Sequence, residues 1–353
     1  MVRKTDLAVL DAEWTSARPG VALDVIDTHT AGNPTRIVVG GLEIPAAVRE
    51  VPDARAWLRD SADWVRRRLV HEPRGGGLTC AVVPLPSTDP DHDLGAVILE
   101  PGSYPPMCGH CMIGLAMVVD EFGLAPGTIS ADGRRDVTIR TPAGLVRASI
   151  RRHEGSAGTV ELTNVPSWFV DSWTQRLGGK QVRVDLSWGG DYYAAVDAAA
   201  LGLSLRRESA SEIVSLAREL ATVLAGSPPR DPLTGDSLDV YQVLLYERLD
   251  DGDTPSCRVV VVAPPGEIDR SPCGTGSSAL LALRLAHGEI AAGDEMTTRS
   301  IIDSRFSVKA AHVDDTGQRL TVTPVLTGSA HVTGFSRVVA DPFDTLADGF
   351  API

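Results

Sequence analysis

Arg270-Ser-Pro-Cys273-Gly-Thr-Gly-Ser-Ser-Ala-Leu-Leu-Ala-Leu-Arg-Leu-Ala-His-Gly288 decides how this chain folds, because an earlier stretch repeats its plan. That stretch is Pro105-Pro-Met-Cys108-Gly-His-Cys-Met-Ile-Gly-Leu-Ala-Met-Val-Val-Asp-Glu-Phe-Gly123. Each reads Cys-Gly, then a dozen mostly small or apolar residues, then a glycine fifteen positions after the cysteine. The spacing predicts two helices of about three turns, each opening just after its cysteine and stopping at its glycine. Both are apolar nearly all round, so both belong in a core and not on a surface.

The flanks repeat as well. An apolar run precedes each cysteine, Gly95–Leu99 before Pro101-Gly102 and Arg258–Ala263 before Pro264-Pro-Gly266. β-like segments follow each helix, Val137–Gly144 and Gly158–Leu162 in one copy, Ile301–Phe306 and Arg319–Thr323 in the other. Strand, loop, cysteine, buried helix and strands, twice over, predict an α+β fold. The expected architecture is two pseudo-symmetric lobes, each a curved, mostly antiparallel sheet around one central helix. Residues 21–164 form the first lobe with Cys108 and residues 165–339 the second with Cys273, with the crossing near Asn164-Val-Pro-Ser167. Residues 1–20 read as an N-terminal extension, and 340–353 as a C-terminal segment returning to the first lobe. Apolar spacing from Ser204 to Leu224 predicts a helix coating the second lobe, and Ser227–Pro232 is a loop.

The 353 residues are enough for about two domains, and 43% of them are hydrophobic. A net charge of −13 argues against nucleic acid or an anionic membrane surface as partner. Arg66-Arg67-Arg68, in a helix with Trp57 and Trp64, reads as a solvated face. Asp11 and Glu13 interrupt the start of the chain, so no apolar core of a signal peptide is expected, nor is any membrane span. Five cysteines (Cys80, Cys108, Cys111, Cys257 and Cys273) are few and odd in number, which suits a reducing cytoplasm. Cys80 and Cys257, in apolar strand-like runs, read as core. A homodimer is one assembly such a chain could form.

A helix start presents unpaired N–H groups and the positive end of the macrodipole. A thiol there is acidified, and an anion beside it finds donors. Glycine after each cysteine lets a ligand approach the backbone closely. If the two lobes face each other, two thiols flank one bound molecule. Inverting a stereocentre needs that arrangement: one thiolate removes the α-proton while the other thiol protonates the far face. Acid–base catalysis of this kind supplies roughly 10²–10⁴-fold, and the remainder must come from donors holding the carboxylate as it becomes enolate-like. Pyridoxal phosphate is the usual alternative, but Lys4, Lys180 and Lys309, the three lysines, lie in no phosphate-binding context. No cofactor and no metal are expected.

Met107-Cys-Gly-His110 and Asp269-Arg-Ser-Pro-Cys-Gly-Thr-Gly276 resemble the two signature motifs of the proline racemase family. Asp27–Arg36, Asn164–Ser167, Gly189–Tyr193, Ser304–Phe306, Thr327–Ser329 and Thr333–Phe335 follow in the family's order, so the resemblance spans about residues 22–350. It implies a fold similar to diaminopimelate epimerase. It also implies that Cys108 and Cys273 are the acid/base pair, that Gly109, His110, Gly274 and Thr275 bind the substrate carboxylate, and that Asp269 meets a ring nitrogen. The expected ligand is a small amino acid, proline or hydroxyproline, and the expected activity is 4-hydroxyproline 2-epimerase, with proline racemase and 3-hydroxyproline dehydratase as alternatives. A cysteine at 273 favours inversion, because the dehydratase branch typically has threonine there. Asn33, Gly76 and Cys111 depart from the family's usual residues.

Two other kinds of chemistry compete for the same residues. Cys108-Gly-His-Cys111 matches a dithiol oxidoreductase motif, and Cys80, Cys108, Cys111 and His110 could offer zinc ligands, although adjacent His110 and Cys111 would strain to share one ion. A non-catalytic binding protein would have lost a thiol or Asp269, and all three are present.

Overall fold

In the computed structural model, which describes residues 22–87, 89–153, 156–249 and 254–351, both repeated stretches become helices that start one residue after their cysteine. The extension 1–20 lies outside the described residues. The chain opens with β1 (Leu23–Thr30), β2 (Asn33–Gly40), α1 (Val51–Ser61), α2 (Trp64–Val70), β3 (Cys80–Pro86) and β4 (Leu94–Leu99). Next come α3 (Gly109–Phe122), β5 (Thr128–Ile129), β6 (Arg135–Thr141), β7 (Gly144–His153) and β8 (Ser156–Thr163). Beyond the crossing lie β9 (Ser167–Leu177), β10 (Lys180–Trp188), β11 (Tyr192–Asp197), α4 (Ala198–Leu201) and α5 (Ala210–Gly226). β12 (Gln242–Leu249), β13 (Ser256–Ala263), β14 (Glu267–Ile268) and α6 (Gly274–Ala286) lead to β15 (Glu295–Arg299), β16 (Arg305–Asp314), β17 (Thr321–Gly328) and β18 (Ala330–Val338).

Strand pairing carries the duplication. The runs β1–β2–β3–β4–β6–β7–β8 and β10–β11–β12–β13–β15–β16–β17 have the same order of neighbours. In each run only the second and fourth pairings are parallel: β2–β3 and β4–β6 in one, β11–β12 and β13–β15 in the other. β18 adds to β1 and β9 to β10, while β17 pairs with both β9 and β8, which closes the second lobe and ties it to the first. β18 packs on α3, so it belongs with the first lobe, whereas a division at residue 339 assigns it to the second. Near the chain end, Phe350 bridges to Glu72.

α3 packs against β1, β2, β7, β8 and β18, and α6 against β9, β10, β16 and β17. Gly109–Ala116 and Gly274–Leu285 are buried without exception, as an apolar circumference requires. The helices have 14 and 13 residues, nearer four turns than three. Gly123, at φ 67°, ends α3 in the left-handed conformation that glycine adopts without strain. α5 buries Ile213, Leu216, Ala217, Leu220 and Leu224 and lies against β12, so it covers the second lobe.

Two expectations are corrected. Ile301–Ser304 is a turn and not a strand: Ser300 N donates to Ser304 O at 2.9 Å, the Ser300 and Ser304 hydroxyls pair at 2.7 Å, and Asp303 takes φ 64°. Short polar side chains stabilise such turns through local hydrogen bonds, which the apolar Ile301-Ile302 pair conceals. Arg66 is not solvated; its side chain is 13% exposed, and it grips Asp63 and the carbonyl oxygens of Glu100 and Pro101. Arg68 lies over the Trp64 ring at 4.7 Å. Arg66 pins the loop leading toward Cys108, because a charged head can be held by backbone oxygens while its stem covers apolar surface. No helix among the described residues is long and apolar enough to cross a membrane.

Candidate functional site

Cys108 and Cys273 are the N-cap residues of α3 and α6. The two helix starts meet glycine to glycine. A Cβ built on Gly109 would stand 2.8 Å from Gly274 Cα, and one on Gly274 would stand 2.9 Å from Gly109 Cα. Nothing larger fits there. The orphan N–H groups of both first turns are therefore brought to one place, which suits a carboxylate. The crossing between lobes reinforces the contact, since Asn164 Nδ2 donates to Gly189 O at 2.8 Å and to Ser278 Oγ at 2.9 Å.

A cavity of about 50 Å³ lies at this junction. Cys108, His110, Asp269, Cys273 and Thr275 line it, so five of the seven site residues expected from sequence meet in one place, and Gly109 and Gly274 form the abutment beside them. Asn33, Cys80, Glu100, Tyr193 and Gln242 complete much of the wall. Of these, Asn33 stands out in sequence only as a departure, and Tyr193 only as the end of Gly189-Gly-Asp-Tyr-Tyr193. Cys80 is a core residue, as expected, and also lines the cavity. Glu100 and Gln242 give no sequence signal, because each belongs to the site only through tertiary contact.

The two thiols sit in matched but unequal surroundings. Cys108 Sγ is 3.2 Å from His110 Nδ1, whereas Cys273 Sγ is 3.4 Å from Tyr193 Oη and 3.6 Å from Thr275 Oγ1. Tyr193 Oη and Thr275 Oγ1 are 2.5 Å apart, and Gly276 N donates to Cys273 Sγ at 3.4 Å. Burial pushes the Cys108 thiol up, but hydrogen bonding from Cys111 and the charge of His110 outweigh it and hold Cys108 well below the ordinary thiol value. For His110, burial alone lowers the value, but the Cys108 charge overcomes it and the imidazole is held well above its ordinary value. Burial, aided by the Asp269 charge, pushes Cys273 up to about 12. A thiol made more acidic beside an imidazole and a thiol made less acidic by burial suit a base and an acid placed across one carbon.

Asp269 is held by Ser271 N, which donates to Oδ1 at 2.7 Å; its Oδ2 lies 4.0 Å from His110 Nδ1. Burial raises its carboxyl above the usual range, partly offset by His110. An ammonium arriving beside it would favour the charged form. Asn33 joins the halves of the site, its Nδ2 3.2 Å from His110 Nε2 and its Oδ1 accepting from Arg270 N at 3.2 Å.

The unequal thiols give a direct expectation. Cys108 and Cys273 are equally secluded, at 6% and 7% exposure, so access does not distinguish them. Iodoacetamide at neutral pH is therefore expected to label Cys108 faster than Cys273 by on the order of 100-fold, the thiolate fraction outweighing its lower intrinsic nucleophilicity. Peptide mass spectrometry over a labelling time course reads the ratio; equal rates at both cysteines contradict the assignment.

A duplicated α+β fold that seats one cysteine at each of two abutting helix starts defines a class of isomerases. The model of the family described as proline racemase matches residues 25–351. A proline racemase of Clostridioides difficile is 32% identical over 333 residues, covering 93% of this chain and 98% of that protein. A 4-hydroxyproline 2-epimerase of Streptosporangium roseum is 32% identical over 329 residues, covering 92% and 97%. The crystal structure of a hydroxyproline epimerase from Agrobacterium vitis, with bound trans-4-hydroxy-L-proline, matches with a TM-score of 0.81 at 30% identity, over 94% of this chain and 96% of that one. The chain belongs to the proline racemase family.

Proposed function

We propose that this chain inverts the α-carbon of a proline-like amino acid with Cys108 and Cys273 as its two acid/base groups, and that 4-hydroxyproline is the preferred substrate. The observation that carries the reading is the pair of thiols, one beside an imidazole and one beside a tyrosine hydroxyl, on one small cavity between two helix starts. Gly109, His110, Gly274 and Thr275 offer first-turn N–H groups to the substrate carboxylate, and Asp269 takes the ring ammonium. Cys108 thiolate accepts the α-proton, negative charge moves onto the carboxylate held by those donors, and Cys273 delivers its proton to the opposite face. The opposite direction starts from the protein with the two protonation states exchanged. Glu100, whose carboxyl burial raises well above its usual value, and Gln242 also line the cavity and can exchange hydrogen bonds with a ring hydroxyl. Proline leaves such groups without a substrate partner, and this favours the hydroxylated ring. The free thiols suit a reducing cytoplasm.

Polarimetry with L- and D-proline, trans-4-hydroxy-L-proline and trans-3-hydroxy-L-proline tests the substrate. The expected order of kcat/KM places trans-4-hydroxy-L-proline first, and loss of water from the 3-hydroxy compound as the main reaction contradicts it. Pyrrole-2-carboxylate, planar at the carbon that changes hand, is expected to inhibit competitively and to protect both cysteines from alkylation. Inertness of all four amino acids together with no protection by pyrrole-2-carboxylate removes the ring-substrate reading.

A further inference from the structure

Cys80, at the start of β3, and Cys111, in the first turn of α3, are not assigned a proton in the reaction above. Their sulfurs and a ring nitrogen of His110 all lie within 4.8 Å of one another, and all three residues are buried. The His110 ring is the hub: Nε2 is 3.5 Å from Cys111 Sγ and 3.7 Å from Cys108 Sγ. A tetrahedral zinc ion, bound at about 2.3 Å by sulfur and about 2.0–2.1 Å by imidazole, sets sulfur and nitrogen about 3.5 Å apart. Cys111 and His110 are thus at a ligating separation before any ion arrives, and Cys80 lies within 4.8 Å of both. Adjacent His110 and Cys111 already hold a ring nitrogen and a sulfur 3.5 Å apart.

We propose that Cys80, Cys111 and His110 form a site for a thiophilic metal ion such as Zn²⁺, with Cys108 beside it, 3.2 Å from His110 Nδ1. Two thiolates and one imidazole are a donor set that selects zinc or cuprous ion over hard cations. Thr35 Oγ1, 3.8 Å from Cys111 Sγ, supports that sulfur from outside, and Asn33 Nδ2, now 3.2 Å from His110 Nε2, gives way to the ion. Binding releases the remaining thiol protons to solvent. It also takes the imidazolium away from Cys108, so the ion is an inhibitor; that consequence rests on the proposed function, whereas the binding does not.

Metal-free protein titrated with CoCl₂ and, separately, with ZnCl₂ against a chromogenic chelator reads binding without any turnover. The expected result is one ion per chain, with the near-ultraviolet charge-transfer band of cobalt thiolate and the visible bands of tetrahedral cobalt. Cys80→Ser and Cys111→Ser are each expected to weaken zinc binding by at least about 100-fold, since loss even of outer-shell partners costs about 10–100-fold. Zinc is expected to stop epimerisation and EDTA to restore it. Unchanged affinity in both variants overturns the site, and so does a wild-type cobalt spectrum without thiolate bands or no uptake at micromolar metal. The wild-type spectrum decides even if a variant fails to fold, and it stands or falls independently of any substrate result.

Discussion

Cys108→Ala and Cys273→Ala are each expected to lower the interconversion of the two hands of the substrate by roughly 10²–10⁴-fold or more, with the fold intact. Alanine at either N-cap removes a sulfur from a cavity wall and leaves the core of α3 and α6 untouched. The two variants should also differ from each other. Cys273→Ala keeps the thiolate–imidazolium pair at Cys108, so it can still exchange the α-proton of one hand with solvent without completing inversion. Cys108→Ala retains only the protonated thiol, whose value is pushed up to about 12, and exchange of the other hand should be slow at neutral pH. Chiral chromatography for inversion and proton NMR in D₂O for exchange separate the two effects. Near wild-type inversion by either variant would mean that its cysteine is not one of the two bases.

A single methyl group at the junction of the helices should be nearly as damaging. Gly109→Ala sets its Cβ 2.8 Å from Gly274 Cα, and Gly274→Ala sets its own 2.9 Å from Gly109 Cα; both neighbours are backbone and cannot swing aside. The helix starts must part, which moves Cys108 away from Cys273 and spreads the carboxylate donors. A displacement of about 1 Å at reacting groups costs about 10²-fold, and that is the expected loss in kcat/KM. Overpacking of this kind destabilises by about 1–3 kcal/mol, so the protein should remain folded. Gly123→Ala is the control. Its φ of 67° makes alanine costly, by about 1 kcal/mol, but nothing lies within 4 Å of the added Cβ and turnover should persist. Activity of Gly109→Ala within a few-fold of the parent would show that the helix starts need not abut.

Much of this architecture is legible in the order of the residues. Cys-Gly followed by an apolar run and a terminal glycine implies α3 and α6, because helix caps and a fully apolar circumference are local signals. Asn164-Val-Pro-Ser167 marks the crossing, and the asparagine proves to tie Gly189 to α6. What escapes is non-local. That β18 leaves the second lobe to lie along β1 depends on pairing between distant segments, for which its alternation gives no partner. Arg66 looks solvated because nothing in its neighbourhood names the carbonyl oxygens of Glu100 and Pro101 as its acceptors. The inequality of Cys108 and Cys273 is equally hidden. Both motifs place a thiol at a helix start; His110 and Asp269 stand in the motifs themselves, but only the assembled cavity brings the Tyr193 hydroxyl to Cys273 and buries both thiols.

Two groups, one on each side of the α-carbon, handle the proton in this mechanism. Its most direct test is the reaction of one hand of 4-hydroxyproline in D₂O, stopped at a few per cent conversion, with deuterium at the α-carbon measured in both epimers by mass spectrometry. A proton removed by Cys108 and replaced by solvent-equilibrated Cys273 puts one deuterium in nearly every product molecule and almost none in recovered substrate. Deuterium appearing at similar rates in substrate and product, or protium carried over into the product, would mean that a single group works both faces.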